Sequence, residues 1–377
     1  MKKKITIISS VLAVVLLIGV AVLIIMGPYD GRALEYAVNG DGTTCTITGI
    51  GNCKTSKVVI PDEMEGYRVT AIGSNVFYEY KKLKEITIPT TVTSIGNGAF
   101  FGCELLQTVD IPPALESLGN AAFYGCTLLD GIVLPDTLTH LGWGAFYDCA
   151  SLREIKIPDT ITKIDTGMFH GCASLTKVQI PAATTEIGKH TFYGCSSLTS
   201  FAIPEGVTRI EPWTFAHCTS LKTLTAPAGI TYIGQRALSS CTSLENFVIP
   251  ESVEEIGIYA FFECGKLTEL TLPDSVVKID VYAFHQCKGL TSLTLSSSLE
   301  EIGERAFDHC TALKELTLPA SLKKIGLAPF ADAGIETLRY AGTVAQWNAL
   351  EKDSRWSAIL DATEVVCSDG TVKISDD

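Results

Sequence analysis

The chain has 377 residues, 46% of them hydrophobic and 19% charged, which excludes an apolar-poor, charge-rich disordered polymer and supplies material for a long core. The 29 Lys and Arg residues against 42 Asp and Glu leave a net charge of −13. An acidic chain of this kind repels phosphate backbones, so nucleic acid is not the expected partner.

In chain order, Lys2, Lys3 and Lys4 precede an apolar run from Ile5 to Met26, interrupted only by Thr6, Ser9, Ser10 and Gly19. A membrane-spanning helix needs about 20 residues, whereas a signal-peptide core has roughly 7–15. Basic residues before the run keep the N-terminus in the cytoplasm. Residues 1–28 therefore read as a signal-anchor crossing the membrane through residues 5–26, with the rest of the chain exported. A cleaved signal peptide, giving a secreted product, is the alternative. No clean A-x-A site precedes Gly27-Pro28, and no cysteine near the run offers a lipid anchor.

Residues 29–60 alternate at Tyr36 and Val38, at Thr44, Thr46 and Thr48, and at Val58 and Ile60. Turns fall at Asn39-Gly40-Asp41-Gly42 and Gly49-Ile50-Gly51-Asn52. This predicts a β-hairpin cap over an open sheet edge. Cys45 and Cys53 flank the hairpin turn, where a cross-strand disulfide is one possibility.

Residues 61–334 repeat every 23 residues. Cysteine stands at 103, 126, 149, 172, 195, 218, 241, 264, 287 and 310, and Phe at 77, 100, 123, 146, 169, 192, 215, 261, 284, 307 and 330, with Leu238 in the one gap. One unit reads L-x-x-I-x-I-P-x-x-V-x-x-I-G-x-x-A-F-x-x-C. The first half alternates like a strand and its Pro, lacking an N–H, ends it. The A-F-x-x-C-x-x-L half, with a spacing of three, predicts a short helical or 3₁₀ turn. No such coil buries its apolar face alone, so coils must stack into a solenoid. The expected architecture is a parallel strand ladder of about 11 coils, on the order of 50 Å long at a strand spacing of ~4.8 Å. Residues 335–377 form a small α/β closing module. There Ile335, Leu338 and Tyr340 fall one residue early, Val344 to Leu350 is helical in spacing, and the Trp residues pack over the last coil.

The unit L-x-x-I-x-I-P…I-G-x-x-A-F-x-x-C resembles the BspA-like leucine-rich repeats of bacterial surface proteins, over residues 40 to 340. The segment from Ile60-Pro61 to Ile72-Gly73 looks like that family's first repeat, with its short insertion. The resemblance implies an α/β-type leucine-rich repeat fold. It also implies a non-catalytic surface scaffold that adheres to host or neighbouring-cell macromolecules; an envelope-organising protein without a soluble ligand is the alternative. The Asn of ordinary leucine-rich repeats is absent. Its column holds Thr91, Ala114, Thr137, Thr160, Ala183, Gly206, Gly229, Ser252, Ser275, Ser298 and Ser321, whose hydroxyls can cap part of the turn.

The ten cysteines on the grid replace framework leucines and are expected as buried free thiols. No H-E-x-x-H, G-x-S-x-G, P-loop or G-x-G-x-x-G occurs, so neither catalysis nor a cofactor is expected. No metal site is expected either, and the six histidines read as solvent-facing and unconverged. The outward strand positions give a candidate ligand surface of Glu85, Asp110, Glu154, Lys156, Lys177, Gln179, Glu269 and Glu315, suited to a large extracellular protein or glycan. The residues following each Phe form an alternative aromatic stripe, with Tyr78, Phe101, Tyr124, Tyr147, Tyr193 and Phe262 as its candidates and His170 in the same column.

Overall fold

The structure is a computed structural model that describes residues 33–374. The apolar run at residues 5–26 lies outside the described residues; among them, no helix is long and apolar enough to cross a membrane.

Most coils carry two strands; in the coils of Gly131 and Asn246 the long one is reduced to a single bridge. In the coil that begins at Leu83, Glu85–Thr87 forms a long strand and Ser94–Ile95 a short one. Ile86, Ile88, Val92 and Ile95 point inward and are buried, while Glu85 and Thr87 point out. Successive long strands pair in parallel at one-coil offsets, as Glu85↔Thr108 and Glu154↔Lys177 do. The short strands build a second parallel ladder, for example Tyr232↔Glu255 and Glu255↔Lys278. The solenoid has about 14 turns. Beyond the 11 coils on the strict grid, Lys57–Val59 adds a rung at the N-terminal end, and Thr337–Tyr340 and Glu364–Cys367 add two at the other.

The turn half of the coil is neither α-helical nor 3₁₀. Two residues in each turn, four apart, adopt left-handed backbone angles: Gly98 (φ 58) and Gly102 (φ 69) in one coil, Tyr259 (φ 57) and Glu263 (φ 60) in another. A left-handed residue stops helix propagation and starts a new turn. The alternate N–H groups then point at the next coil instead of back along their own. Gly98 donates to the Asn120 carbonyl at 2.8 Å, Phe100 to Ala122 at 2.8 Å and Gly102 to Tyr124 at 2.7 Å. This face is thus a hydrogen-bonded ladder too. Its rungs lie as close as backbone hydrogen bonds require, not more widely spaced than the strands.

That ladder explains a strained residue in the C-terminal module. Ile359 has φ 59 and is 65% exposed, and its carbonyl accepts the Asp332 N–H at 2.9 Å. The ladder imposes the left-handed angle on a β-branched side chain that disfavours it. Ile359→Asn is expected to stabilise the protein by about 1 kcal/mol, read as a higher urea midpoint; an unchanged or lower midpoint would show that the strain is absent.

The core is a file of stacked rings. Phe77, Phe100, Phe123, Phe146, Phe169, Phe192 and Phe215 are fully buried, with neighbouring centroids from 5.1 to 6.0 Å apart. Each grid cysteine is buried beside this file, and its thiol donates to the Phe-column carbonyl of the preceding coil. Cys103 Sγ reaches the Phe77 oxygen at 3.1 Å, and Cys310 Sγ the Phe284 oxygen at 3.2 Å. The sulfur therefore supplies a hydrogen bond that Leu or Ala could not. The hydroxyl column works across coils in the same way: Thr91 Oγ1 donates to the Val69 carbonyl at 2.6 Å and Ser321 Oγ to Leu299 at 2.7 Å. The I-G glycine is required by close approach, since a Cβ on Gly142 would lie 2.4 Å from the Asn120 backbone nitrogen.

At the N-terminal end Glu35–Val38 and Thr44–Gly49 form an antiparallel hairpin. Thr44–Gly49 continues the short-strand ladder by pairing in parallel with Tyr67–Ile72. The bridge allowed for Cys45 and Cys53 is not formed. Cys45 Sγ faces the Tyr67 carbonyl at 3.5 Å and Cys53 Sγ the Thr55 hydroxyl at 3.5 Å, and both thiols are free. Cys45 sits inside a strand with its side chain turned to the core, while Cys53 lies in the connection beyond it. At the C-terminal end the helix Val344–Ala349 starts at a capping box between Thr343 and Gln346. Trp347 packs on Tyr340 (5.4 Å) and against Trp356 (5.3 Å), which covers the last coils.

Candidate binding surfaces

All eight candidate strand-face residues, Glu85, Asp110, Glu154, Lys156, Lys177, Gln179, Glu269 and Glu315, are exposed. Glu154, Lys156, Lys177 and Gln179 occupy two adjacent paired rungs and come together. The others are spread: Glu85 and Asp110 lie on neighbouring rungs nearer the N-terminus, and Glu269 and Glu315 stand on separate strands. The face is not one continuous ladder. Pairing thins to a single bridge at Gly131↔Glu154 and at Thr223↔Asn246, and breaks before Gly131, between Lys177–Gln179 and Ser200–Ala202, after Asn246, and between Ser292–Thr294 and Glu315–Leu318. Gly and Asn are poor strand formers, which accounts for the first two. Beside them Val133 and Val248 are each 83% exposed, two apolar points missing from the candidate set. A shallow groove of about 510 Å³ runs between Val133, Asp136, Glu154, Lys156 and Lys177.

The aromatic stripe is a stack. Tyr78, Phe101, Tyr124, Tyr147, His170 and Tyr193 lie face to face with centroids 4.0 to 4.8 Å apart and interplanar angles from 7° to 11°. Neighbouring coils use up the ring faces, so solvent meets edges and hydroxyls, and only Tyr78, at the end, is more than half exposed. Burial raises the Tyr147 phenol to about 12. His170 is not solvent-facing: its side chain is 20% exposed, Nε2 lies 3.1 Å from Tyr147 Oη, and burial pulls its pKa down against the raising effect of Asp148. Phe262 stands apart, stacked on His285 at 5.3 Å, because Ala216 and Ser239 occupy the intervening column positions.

The spine of rings continues in a second column. His190 stacks on Trp213 at 5.8 Å, the Arg236 guanidinium lies 4.8 Å over Trp213 and 4.3 Å over Tyr259, and Tyr259 stacks on Tyr282 at 4.7 Å. These residues also sit 23 apart, on the first left-handed position of each turn. Reading that column along the grid would have found them.

The histidines correct the sequence reading at one more place. His285 and His309 lie in adjacent coils and meet on Asp308, a buried carboxylate. His285 Nδ1 is 3.4 Å from Oδ2, His309 Nδ1 is 2.5 Å from Oδ1, and Arg305 binds Oδ2 at 2.9 Å. Burial lowers the His285 pKa, with Asp308 opposing.

The repeat anatomy described above recurs in known proteins. The sequence matches the BspA type leucine rich repeat region, in 6 copies, over residues 50–176, 141–257 and 239–350. This chain belongs to the BspA-type leucine-rich repeat family. A leucine-rich repeat protein of Bacteroides ovatus shares 28% identity and a TM-score of 0.71, covering 85% of this chain and 88% of that one. A leucine rich cell surface protein of Faecalibacterium prausnitzii is also 28% identical, with a TM-score of 0.60, covering 86% and 98%. No curated protein matches the sequence. The chain is thus a BspA-type repeat protein related to bacterial surface leucine-rich repeat proteins. In this BspA-type array the grid cysteine is a framework residue, and the turn face is a backbone ladder of the same standing as the strand face.

Proposed function

We infer that the solenoid is a non-catalytic binding scaffold displayed outside the cell, either anchored through residues 5–26 or released after cleavage. Its partner would be a large extracellular protein, or a glycan, lying across the strand face. The observation that carries this reading is the contrast between the two faces. On the strand face side chains are exposed on successive rungs, whereas on the turn face the aromatic planes that would bind a sugar are already stacked on one another. The group of Glu154, Lys156, Lys177 and Gln179 beside exposed Val133 is the densest mixed patch on the strand face. A shallow open groove suits an extended macromolecular contact better than a small ligand, which prefers an enclosed apolar cavity. The relation to surface leucine-rich repeat proteins supports display and adhesion.

The test starts with capture of a partner by the exported region from extracellular-matrix proteins and glycans, and then measures binding by surface plasmon resonance. The combined change Glu154→Lys, Lys156→Glu and Lys177→Glu is expected to keep the circular dichroism spectrum and to slow association at least about tenfold at low salt. Binding that survives this change but is lost in folded Tyr124→Ala, Tyr147→Ala, Tyr193→Ala protein would move the site to the turn face.

A further inference from the structure

The geometry points to a divalent transition-metal site, of the class that takes zinc, on the turn face at His285, Asp308 and His309. These three residues offer ligand atoms that all lie within 4.8 Å of one another. Two imidazoles and one carboxylate are borderline donors that favour zinc, cobalt or nickel over magnesium or calcium, and three protein ligands leave a fourth position open. The coil does not itself call for an acid here: the equivalent position holds Tyr147, His170, Tyr193, Ala216, Ser239 and Phe262 in other coils. Asp308 is nonetheless fully buried, and Arg305 balances only its single charge.

The surroundings are those of a supported metal ligand set. His309 Nε2, the nitrogen away from Asp308, faces Asp332 Oδ2 at 3.8 Å, the outer carboxylate that commonly orients a metal-bound imidazole. Arg305 Nη1 holds Asp308 Oδ2, leaving Oδ1 for the ion. His285 is fixed by the face of Phe262 and the edge of Tyr282, each 5.3 Å away, and the Gln286 amide lies 3.4 Å from its Nε2. Without metal, the Nδ1 of His285 lies 3.1 Å from the Asp308 backbone carbonyl and that of His309 lies on the carboxylate, where each imidazole can donate an N–H. On binding, each imidazole carries its proton on Nε2 rather than Nδ1; at His309 the Asp332 carboxylate can accept it, and at His285 the Gln286 amide can do so once it turns its oxygen, in place of its nitrogen, to the ring. The two Nδ1 lone pairs and Oδ1 then face the ion. Such an ion, with Asp332 behind it, would tie three consecutive coils together.

The experiment uses the full-length chain in detergent micelles, with all cysteines present and reduced. Zinc is titrated by calorimetry, and cobalt(II) is followed by absorption. The comparison variant is His285→Tyr with His309→Ser, residues that Tyr147 and Ser240 supply at the same positions of other coils. We expect one zinc per chain and a zinc-dependent rise in melting temperature of at least about 2 °C. The cobalt spectrum should show nitrogen and oxygen ligation without thiolate charge transfer. The double variant should bind at least tenfold more weakly, and the exposed change Asp332→Asn should weaken binding about tenfold with the fold untouched. Equal zinc binding by parent and double variant, thiolate bands in the cobalt spectrum, or no stoichiometric binding by the parent would each overturn the proposal.

Discussion

Raising the pH from 8 to 11 is expected to unfold this protein far more steeply than its surface charge alone would. Ten grid cysteines are held neutral in the core, where burial pushes thiols such as Cys103, Cys241 and Cys287 up to about 12 and Cys149, Cys172 and Cys195 well above the ordinary 9.0. In the unfolded chain these thiols ionise near 9. The folded state then binds more protons than the unfolded state, so stability is intact below pH 9 and falls as pH rises towards the folded values. Each thiol contributes a slope of about 1.4 kcal/mol per pH unit in that window, so ten acting together give on the order of 10 kcal/mol per unit. Urea unfolding between pH 7 and 11, under reducing conditions, reads this slope directly. Changing Cys149, Cys172 and Cys195 to Ala lowers stability at pH 7 but should flatten the alkaline fall by roughly three-tenths. A maleimide should leave the column unlabelled until denaturant is added. An alkaline slope unaffected by the three changes would show that the thiols are not what titrates.

Phe169→Ala is expected to cost about 3–5 kcal/mol. The ring is fully buried between Phe146 at 6.0 Å and Phe192 at 5.7 Å, and its removal breaks the file in mid-rod. Leu238 holds the same column three coils further on, so Phe169→Leu, which leaves a smaller cavity, should cost clearly less than the alanine change. Lys177→Ala, on the exposed strand face, should stay within about 0.5 kcal/mol. Because coils interact only with their neighbours, the alanine change should also separate the unfolding of the two halves, visible as a broadened thermal transition. Equal midpoints for Phe169→Ala and Lys177→Ala would mean that the inner and outer faces have been exchanged.

The repeat, its strands and the buried Phe and Cys columns were legible because each obeys a rule that a single sequence exposes: alternation in L-x-x-I-x-I, a proline stop, and identity at a fixed step. The turn half was misread as helical because its spacing of three mimics a helix. The left-handed positions that forbid one are glycine at 98 and 102 but Arg236 and Ser240, or Tyr259 and Glu263, further along. No local propensity reveals those angles; the inter-coil hydrogen bonds impose them. The meeting of His285 with His309 shows in neither repeat column alone, because a step of one coil plus one residue joins them. The short strands, two residues long, gave no alternation to detect.

Those short strands carry a regular pattern of charge. Paired rung by rung, their first residues run Glu255, Lys278, Glu301, Lys324 and Glu351. Lys324 lies 3.8 Å from Glu301 and 3.9 Å from Glu351. The array therefore has a parity. Losing one coil in this half, for example by recombination between repeats, would set Glu255 directly against Glu301, a mildly destabilising like-charge pair. Losing two would bring Glu255 against Lys324 and restore the alternation. Any lengthening or shortening of this half is thus favoured in steps of two coils, even though every backbone hydrogen bond would accept a step of one.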